Sequence, residues 1–413
     1  MVSDNTTYRR TVLENGLRVV TERMPNVRSA ALGVWVEAGS RDEDASVNGV
    51  SHFLEHMLFK GTEHRNAREI AEALESVGGS LNAFTTKELS CYSAHVLDED
   101  LPLAVEVVSD LLLHPAFDPA EIEKEKQVIL QEISQYRETP EEVIFERFYR
   151  TVFDNHPLAQ EIHGTEENVL KMTRETLVTH MRRQYTAPRI VVAVAGNVEH
   201  EAVVDLVRKH FADALPGEKR KLQPVPVFEA KRVRDKHGNC QQAHICVGGR
   251  GLAYGDDRKF PLLVLDTLLG GGMSSRLFQN IRENLGLAYS VYSFLDFLAD
   301  TGVYGVYAAT EVGNAEHTEE LIREELAQLG RGDVKNEEVD RTKRQLKGSL
   351  LLGLESTGSR MNRLARLEIY LGRHYTLDEV AEAIDSVTRD SVVEVAEQIY
   401  RSENTASVTL LPD

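Results

Sequence analysis

Within the stretch VSHFLEHMLFKGT, His52, Glu55 and His56 have the types and spacing for metal chemistry. On a helix, residues four apart stand one above the other, so the two imidazoles could reach one cation. Glu55, three after His52 and one before His56, could meet a water on that cation without ligating the cation itself. The order His-x-x-Glu-His reverses the His-Glu-x-x-His helix of familiar zinc peptidases. Two satisfied histidines on an ordinary buried helix are the plain alternative.

A catalytic zinc usually takes three protein ligands and leaves a position for water, so the histidines need a partner. The segment DPAEIEKEKQVILQEISQYRETP offers carboxylates in a strong helix pattern. Asp118 suits the N-cap, Pro119 the first turn, and Pro140 marks the far end. Ile122, Ile129, Ile133 and Tyr136 form one apolar stripe, and Glu121, Glu125, Val128 and Glu132 share a second face beside it. Solvated ion pairs account for Glu123 and Glu138. Glu132 lies between Leu130 and Ile133 in the most apolar part of the helix, where a carboxylate is costly unless it meets a cation. Spacing alone leaves both Glu125 and Glu132 open as the third ligand.

The elements that must position these residues follow from periodicity. GLRVVTERM and SAALGVWVEAGS read as strands, NAREIAEALESVGG as a helix capped by Asn66 and stopped by Gly78 and Gly79, and SLNAFTTKELSCYSAHV as a hairpin. From Leu215 to Val227 the sequence LPGEKRKLQPVPV holds three prolines and no helical period, which makes it the best candidate linker. Beyond it the order begins again. AHICVGGRG matches LGVWVEAGS as a strand ending in glycine, and PLLVLDTLLGGGMSSRLF matches VSHFLEHMLFKGT as the apolar helix that follows. The expectation is a duplicated α+β unit, each copy an antiparallel sheet with helices mainly on one face. Its bounds would be 1–217 for the metal-binding copy, 218–227 for the linker and 228–413 for the second copy. The glycines of LLGGGMSSRLF lack a following Lys-Ser/Thr, so they are no phosphate loop; a hinge is as far as they reach.

Composition narrows the function. With 47 Lys plus Arg against 66 Asp plus Glu, the formal charge of −19 works against nucleic acid or an anionic membrane and favours basic polypeptides. The three cysteines, Cys91, Cys240 and Cys246, include no Cys-x-x-Cys pair and suggest neither a disulfide framework nor a thiolate zinc site. The first twenty residues lack the apolar core of a signal peptide, and no apolar run is long enough to span a bilayer. A cytoplasmic protein is expected.

Four stretches in order, HFLEHMLFKGT, GGSLNAFTTKELSCYSAHV, EKEKQVILQEI and SSRLFQNIRENLGLAYSVYS, together resemble the pitrilysin/insulinase family of inverted-motif zinc peptidases. Within it the chain is most similar to the half-length branch of the mitochondrial processing peptidase β subunit and its bacterial relatives. The resemblance implies one zinc ion per chain on His52, His56 and Glu132, with Glu125 supporting the site and Glu55 as general base. It implies substrate held at Asn82 and Ala83, through an edge strand that receives a peptide as one more strand, with Phe84 shaping a pocket beside them. It assigns Arg282 and Tyr289 to the substrate backbone near the scissile carbonyl. Full-length members close four such domains around a chamber and this chain has two. A homodimer with shared sites is therefore expected, or less favourably a heterodimer with an inactive homologue. Scaffold proteins of the same fold, and a zinc enzyme acting on small molecules, are the competing classes.

Overall fold

The computed structural model describes residues 7–413. The chain forms two compact units, each discontinuous in sequence: the first takes residues up to Ile133, Gln160–Leu222 and Gly353–His374, the second Ser134–Ala159, Gln223–Leu352 and Tyr375–Asp413. The units therefore do not follow a linear division into 1–217 and 228–413. Helix Pro140–Phe153 belongs to the second unit and helix Thr357–Leu371 to the first. Residues 214–231 have no regular structure, and the passage at Leu222/Gln223 falls inside the expected 218–227 linker.

The first sheet contains β1 (Thr7–Val12), β2 (Arg18–Arg23), β3 (Ser29–Val36), β4 (Ser80–Thr85), β5 (Ser90–Leu97) and β6 (Ile190–Gly196), in the order β1-β2-β6-β3-β5-β4. β3 is buried along its length beyond Ser29, as its run of small and branched residues requires of a strand covered on both faces. Leu32, Val34 and Val36 face the main core, which includes helices Val50–Leu58 and Leu101–Leu113. Ala31 and Trp35 face the other way, under Met361, Leu364 and Ala365 of helix Thr357–Leu371.

The second sheet contains β7 (Arg232–Lys236), β8 (Ala243–Gly251), β9 (Ala288–Phe297), β10 (Gly302–Thr310) and β11 (Ala406–Leu411), in the order β7-β11-β8-β10-β9. One face packs on a core with Leu262, Leu265, Ile322 and Leu326; the other carries Ile144, Phe148 and Val152 of helix Pro140–Phe153. The order and directions repeat those of β2-β6-β3-β5-β4, so the duplication read in the sequence is present in the topology.

The fold class is α+β in both units, but the sheets are mixed rather than antiparallel, because β2 runs parallel to β6 and β7 parallel to β11. The cause is geometric. β6 enters between β2 and β3, which run in opposite directions, and an inserted strand must then be parallel to one neighbour.

Candidate metal centre

Helix Val50–Leu58 is fixed before its polar residues are considered. Val50, Phe53, Leu54, Met57 and Leu58 are all at most 1% exposed, and burying each such side chain stabilises the fold by roughly 1.5–3 kcal/mol. That sets the rotation of the helix and leaves His52, Glu55 and His56 on the remaining face. Its start is held by Glu43, whose carboxylate accepts from Gly49 N at 2.7 Å, Ser51 N at 2.8 Å and Asn48 Nδ2 at 2.9 Å. The contacts with Gly49 N and Ser51 N occupy backbone N–H groups that a helix terminus leaves unpaired. Burial nevertheless pushes the Glu43 carboxyl up to about 7 against those hydrogen bonds. Gly49, at φ +97°, must lack a side chain, since a Cβ there would stand 2.6 Å from the His163 carbonyl oxygen.

Helix Pro119–Arg137 brings the carboxylates. Asp118 caps it through Oδ1, accepting from Ala120 N at 2.8 Å and Glu121 N at 3.2 Å. Buried Ile122, Ile129 and Ile133 hold the stripe against the core, and the seven-residue interval puts Glu125 and Glu132 on one face.

His52, His56 and Glu132 offer donor atoms that all lie within 4.8 Å of one another. His56 Nε2 is 3.4 Å from Glu132 Oε2, and His52 Nε2 is 3.6 Å from Glu132 Oε1. Donors about 2.0–2.1 Å from a tetrahedral zinc stand about 3.3 Å apart, so the set fits that ion. The donor types, two imidazoles and a carboxylate, also suit zinc. Glu125 does not join this group. Its Oε1 lies 2.8 Å from His56 Nδ1 and its Oε2 2.7 Å from Lys60 Nζ. An acceptor on Nδ1 places the proton there and leaves Nε2 free to ligate. Glu55 accepts from the Thr85 hydroxyl at 2.6 Å, which ties it to β4.

The electrostatics hold both glutamates charged and separate the two histidines. The imidazoles of His163, His52 and His56 hold Glu132 charged, far below the usual carboxylate range. Burial opposes charge on Glu125, but His56 and Lys60 outweigh it and lower its pKa. Burial lowers His52, whereas for His56 the contacts with Glu125 and Glu132 overcome burial and raise it to about 9.

Asn82, Ala83 and Phe84 lie on β4, the outermost strand of the first sheet. Alternation sends Leu81 and Ala83 toward the core shared with helix Val50–Leu58. Phe84 points to the opposite face, where its ring meets Trp35 edge-on at 5.4 Å. The structure thus uses Phe84 to hold the strand to its sheet. The Asn82 side chain accepts from Ala83 N at 2.9 Å.

Arg282 and Tyr289 lie in the second unit. Arg282 is in the π-helical turn Phe278–Asn284, with its guanidinium over the rings of Phe278 at 4.6 Å and Tyr289 at 4.8 Å. Tyr289, on β9, is 77% exposed. The spacing of the pair on either side of Gly286 brings them together.

Sequence reasoning missed His163, Lys60, Thr85 and Glu43. Lys60 and Thr85 had a signal, in HMLFKGT and FTTKE, adjoining the residues already singled out. His163 and Glu43 had none at helical spacing, because loops deliver them.

Two family profiles match the chain in succession: Insulinase (Peptidase family M16) over residues 18–166, and Peptidase M16 inactive domain over residues 171–346. The chain belongs to peptidase family M16. Relatives in the family include a Bacillus subtilis protein named as an uncharacterized zinc protease, 41% identical over 395 residues, with 96% of each chain covered. A Mycobacterium tuberculosis protein with the same description is 43% identical over 404 residues, covering 97% of this chain and 92% of its own. Among solved structures, a protease from Helicobacter pylori shares the fold of this chain with a TM-score of 0.92 at 23% identity, covering 98% of this chain and 100% of that one. The half-length two-unit architecture is therefore that of these M16 proteins.

Proposed function

We propose that the chain is a zinc-dependent endopeptidase that cleaves extended or unfolded peptides. The observation that carries this reading is the convergence of His52, His56 and Glu132 donor atoms within 4.8 Å, the Glu132 oxygens standing 3.4 Å from His56 Nε2 and 3.6 Å from His52 Nε2, with Glu55 on the same helix face and an edge strand beside it. Zinc protease relatives at 41–43% identity over nearly the whole chain support it. One zinc ion per chain would be held by His52, His56 and Glu132. When bound, it would polarise the scissile carbonyl and acidify a water beside it.

The protein's own groups do the rest. Glu125 fixes the His56 tautomer. Glu55, held by Thr85, takes the proton from the attacking water and returns it to the leaving amine. Backbone groups of β4 around Asn82 and Ala83 receive the peptide as an added strand, an interaction that reads the main chain and tolerates many sequences. Arg282 and Tyr289 grip the substrate backbone near the carbonyl, where a cation and a phenol stabilise developing negative charge. The acidic balance of the chain favours basic segments, as in presequence-like peptides.

Arg282 and Tyr289 belong to one unit and the metal set to the other. In this reading two copies form a homodimer with a shared chamber, and each copy completes the other's site. A heterodimer with an inactive homologue is the lesser form. We place the enzyme in the cytoplasm: its cysteines are unpaired and buried. Among the described residues no helix is long and apolar enough to cross a membrane.

Mixing Glu55→Gln chains with Arg282→Ala chains tests the shared site. A mixed dimer keeps one intact site, so activity should reappear on mixing. No recovery in a confirmed mixed dimer, or full activity of an isolated monomer, contradicts the arrangement.

A further inference from the structure

We infer that His163 is a working part of the metal centre, a positioning residue that orients the carboxylate of Glu132; this rests on the zinc reading above. The Glu132 carboxylate is bracketed. Its Oε2 faces His56 Nε2 at 3.4 Å, while its Oε1 stands 3.6 Å from His52 Nε2 and 3.6 Å from His163 Nε2. The His163 ring lies 4.7 Å from that of His52, nearly the 4.6 Å that separates His52 from His56. Yet His163 is outside the group of donor atoms that converge within 4.8 Å. It reaches the carboxylate from beside the ligand set, where a supporting group belongs.

The loop that delivers His163 is built to hold it there. Its backbone is tied at Gln160 O by Lys87 Nζ at 2.8 Å and at Glu161 O by Asn48 Nδ2 at 2.8 Å. Gly164, at φ +74°, packs so closely that a Cβ would come within 2.3 Å of the Asn48 carbonyl oxygen and 2.7 Å of Gly49 Cα. The loop is thereby docked on the N-terminal end of the helix that carries His52 and His56, and metal helix and His163 form one rigid piece. Glu132 comes from a different helix, and its side chain has three torsions to fix. With Oε2 given to the ion, Oε1 is left for the Nε2–H of His163. Glu125 performs the matching task for His56 from the other side. Such supporting partners set ligand geometry and metal affinity.

The test compares zinc affinity of the full-length protein, by competition with a chromogenic chelator, for wild type, His163→Leu, His163→Gln and His52→Ala. The glutamine amide keeps an N–H donor; leucine keeps bulk alone. Leucine should weaken zinc binding about 10–100-fold, and glutamine should restore it to near the wild-type value. The melting temperature of the metal-free protein should be the same in all three His163 forms. Unchanged zinc affinity in His163→Leu overturns the inference, as does an equal loss in both His163 variants. If His52→Ala loses zinc and His163→Leu does not, the inference fails while the zinc reading stands. A folded wild-type chain that binds no zinc overturns both.

Discussion

The two units place five matching strands in the same order, β1 being extra in the first, and differ in what they mount on them. Aligned on buried positions, His52, Glu55 and His56 of the first unit's helix correspond to Leu263, Asp266 and Thr267 of helix Lys259–Gly270. Glu125 and Glu132 correspond in the same way to Thr342 and Ser349 of helix Asn336–Gly353. Even the tether has a counterpart: Thr85 on β4 bonds Glu55, and Ser293 on β9 lies against Asp266. The scaffold survives without the donors, so the metal set is an addition to the fold rather than a condition for it. The profile matching residues 171–346 bears the name of an inactive domain, which agrees.

The largest expected effect comes from writing the second unit's residue into the first. His52→Leu should leave a folded protein with no measurable zinc and peptide hydrolysis reduced by about a thousandfold or more. A folded His52→Leu enzyme that kept zinc and turnover would end the distinction between the units. Phe53→Ala separates scaffold from site. This fully buried ring anchors the core face of the metal helix itself, so its loss should cost about 3–5 kcal/mol in denaturant unfolding. A loss under 1 kcal/mol would mean that packing does not set the helix position.

A smaller effect concerns Asp266, which takes the place of Glu55 in a helix that carries Leu263 and Thr267 where the first unit has its histidines. Burial pushes its carboxyl up to about 6, although the Ser293 contact opposes this. A folded value above the unfolded one means that Asp266 stabilises the protein only while it is protonated, and that this contribution is lost as pH rises through 6. Asp266→Asn should therefore be more stable than wild type at pH 8, by on the order of 1–3 kcal/mol, and no more stable at pH 4. A difference independent of pH would refute that account.

Much of this was legible in the sequence because it is local. The His-x-x-Glu-His spacing, the capped helix with its glutamate face and the hairpin that supplies β4 each depend on periods of two or 3.6 residues. What stayed hidden is long-range. The amphipathic helices Pro140–Phe153 and Thr357–Leu371 advertise an apolar face, but nothing in that face says which sheet it will cover. β6 is an apolar run and β11 an alternating ASVTLL, and the parallel partners of both lie far away in sequence, so their pairing was missed. Glu125 and Glu132 were equivalent by spacing; the structure sets them apart, because Glu132 converges with His52 and His56 while Glu125 contacts His56 Nδ1 and Lys60. His163 depends on a loop closed by Gly49 and Gly164, a shape that periodicity does not describe.

The central claim is that one unit holds a zinc ion for hydrolysis in which Glu55 carries the proton and is not a ligand. Measuring zinc content and cleavage of a quenched peptide library together on Glu55→Gln tests it most directly. The account predicts one zinc per chain, as in wild type, with turnover reduced about 10²–10⁴-fold. Normal turnover with zinc retained, or loss of zinc itself, would contradict it.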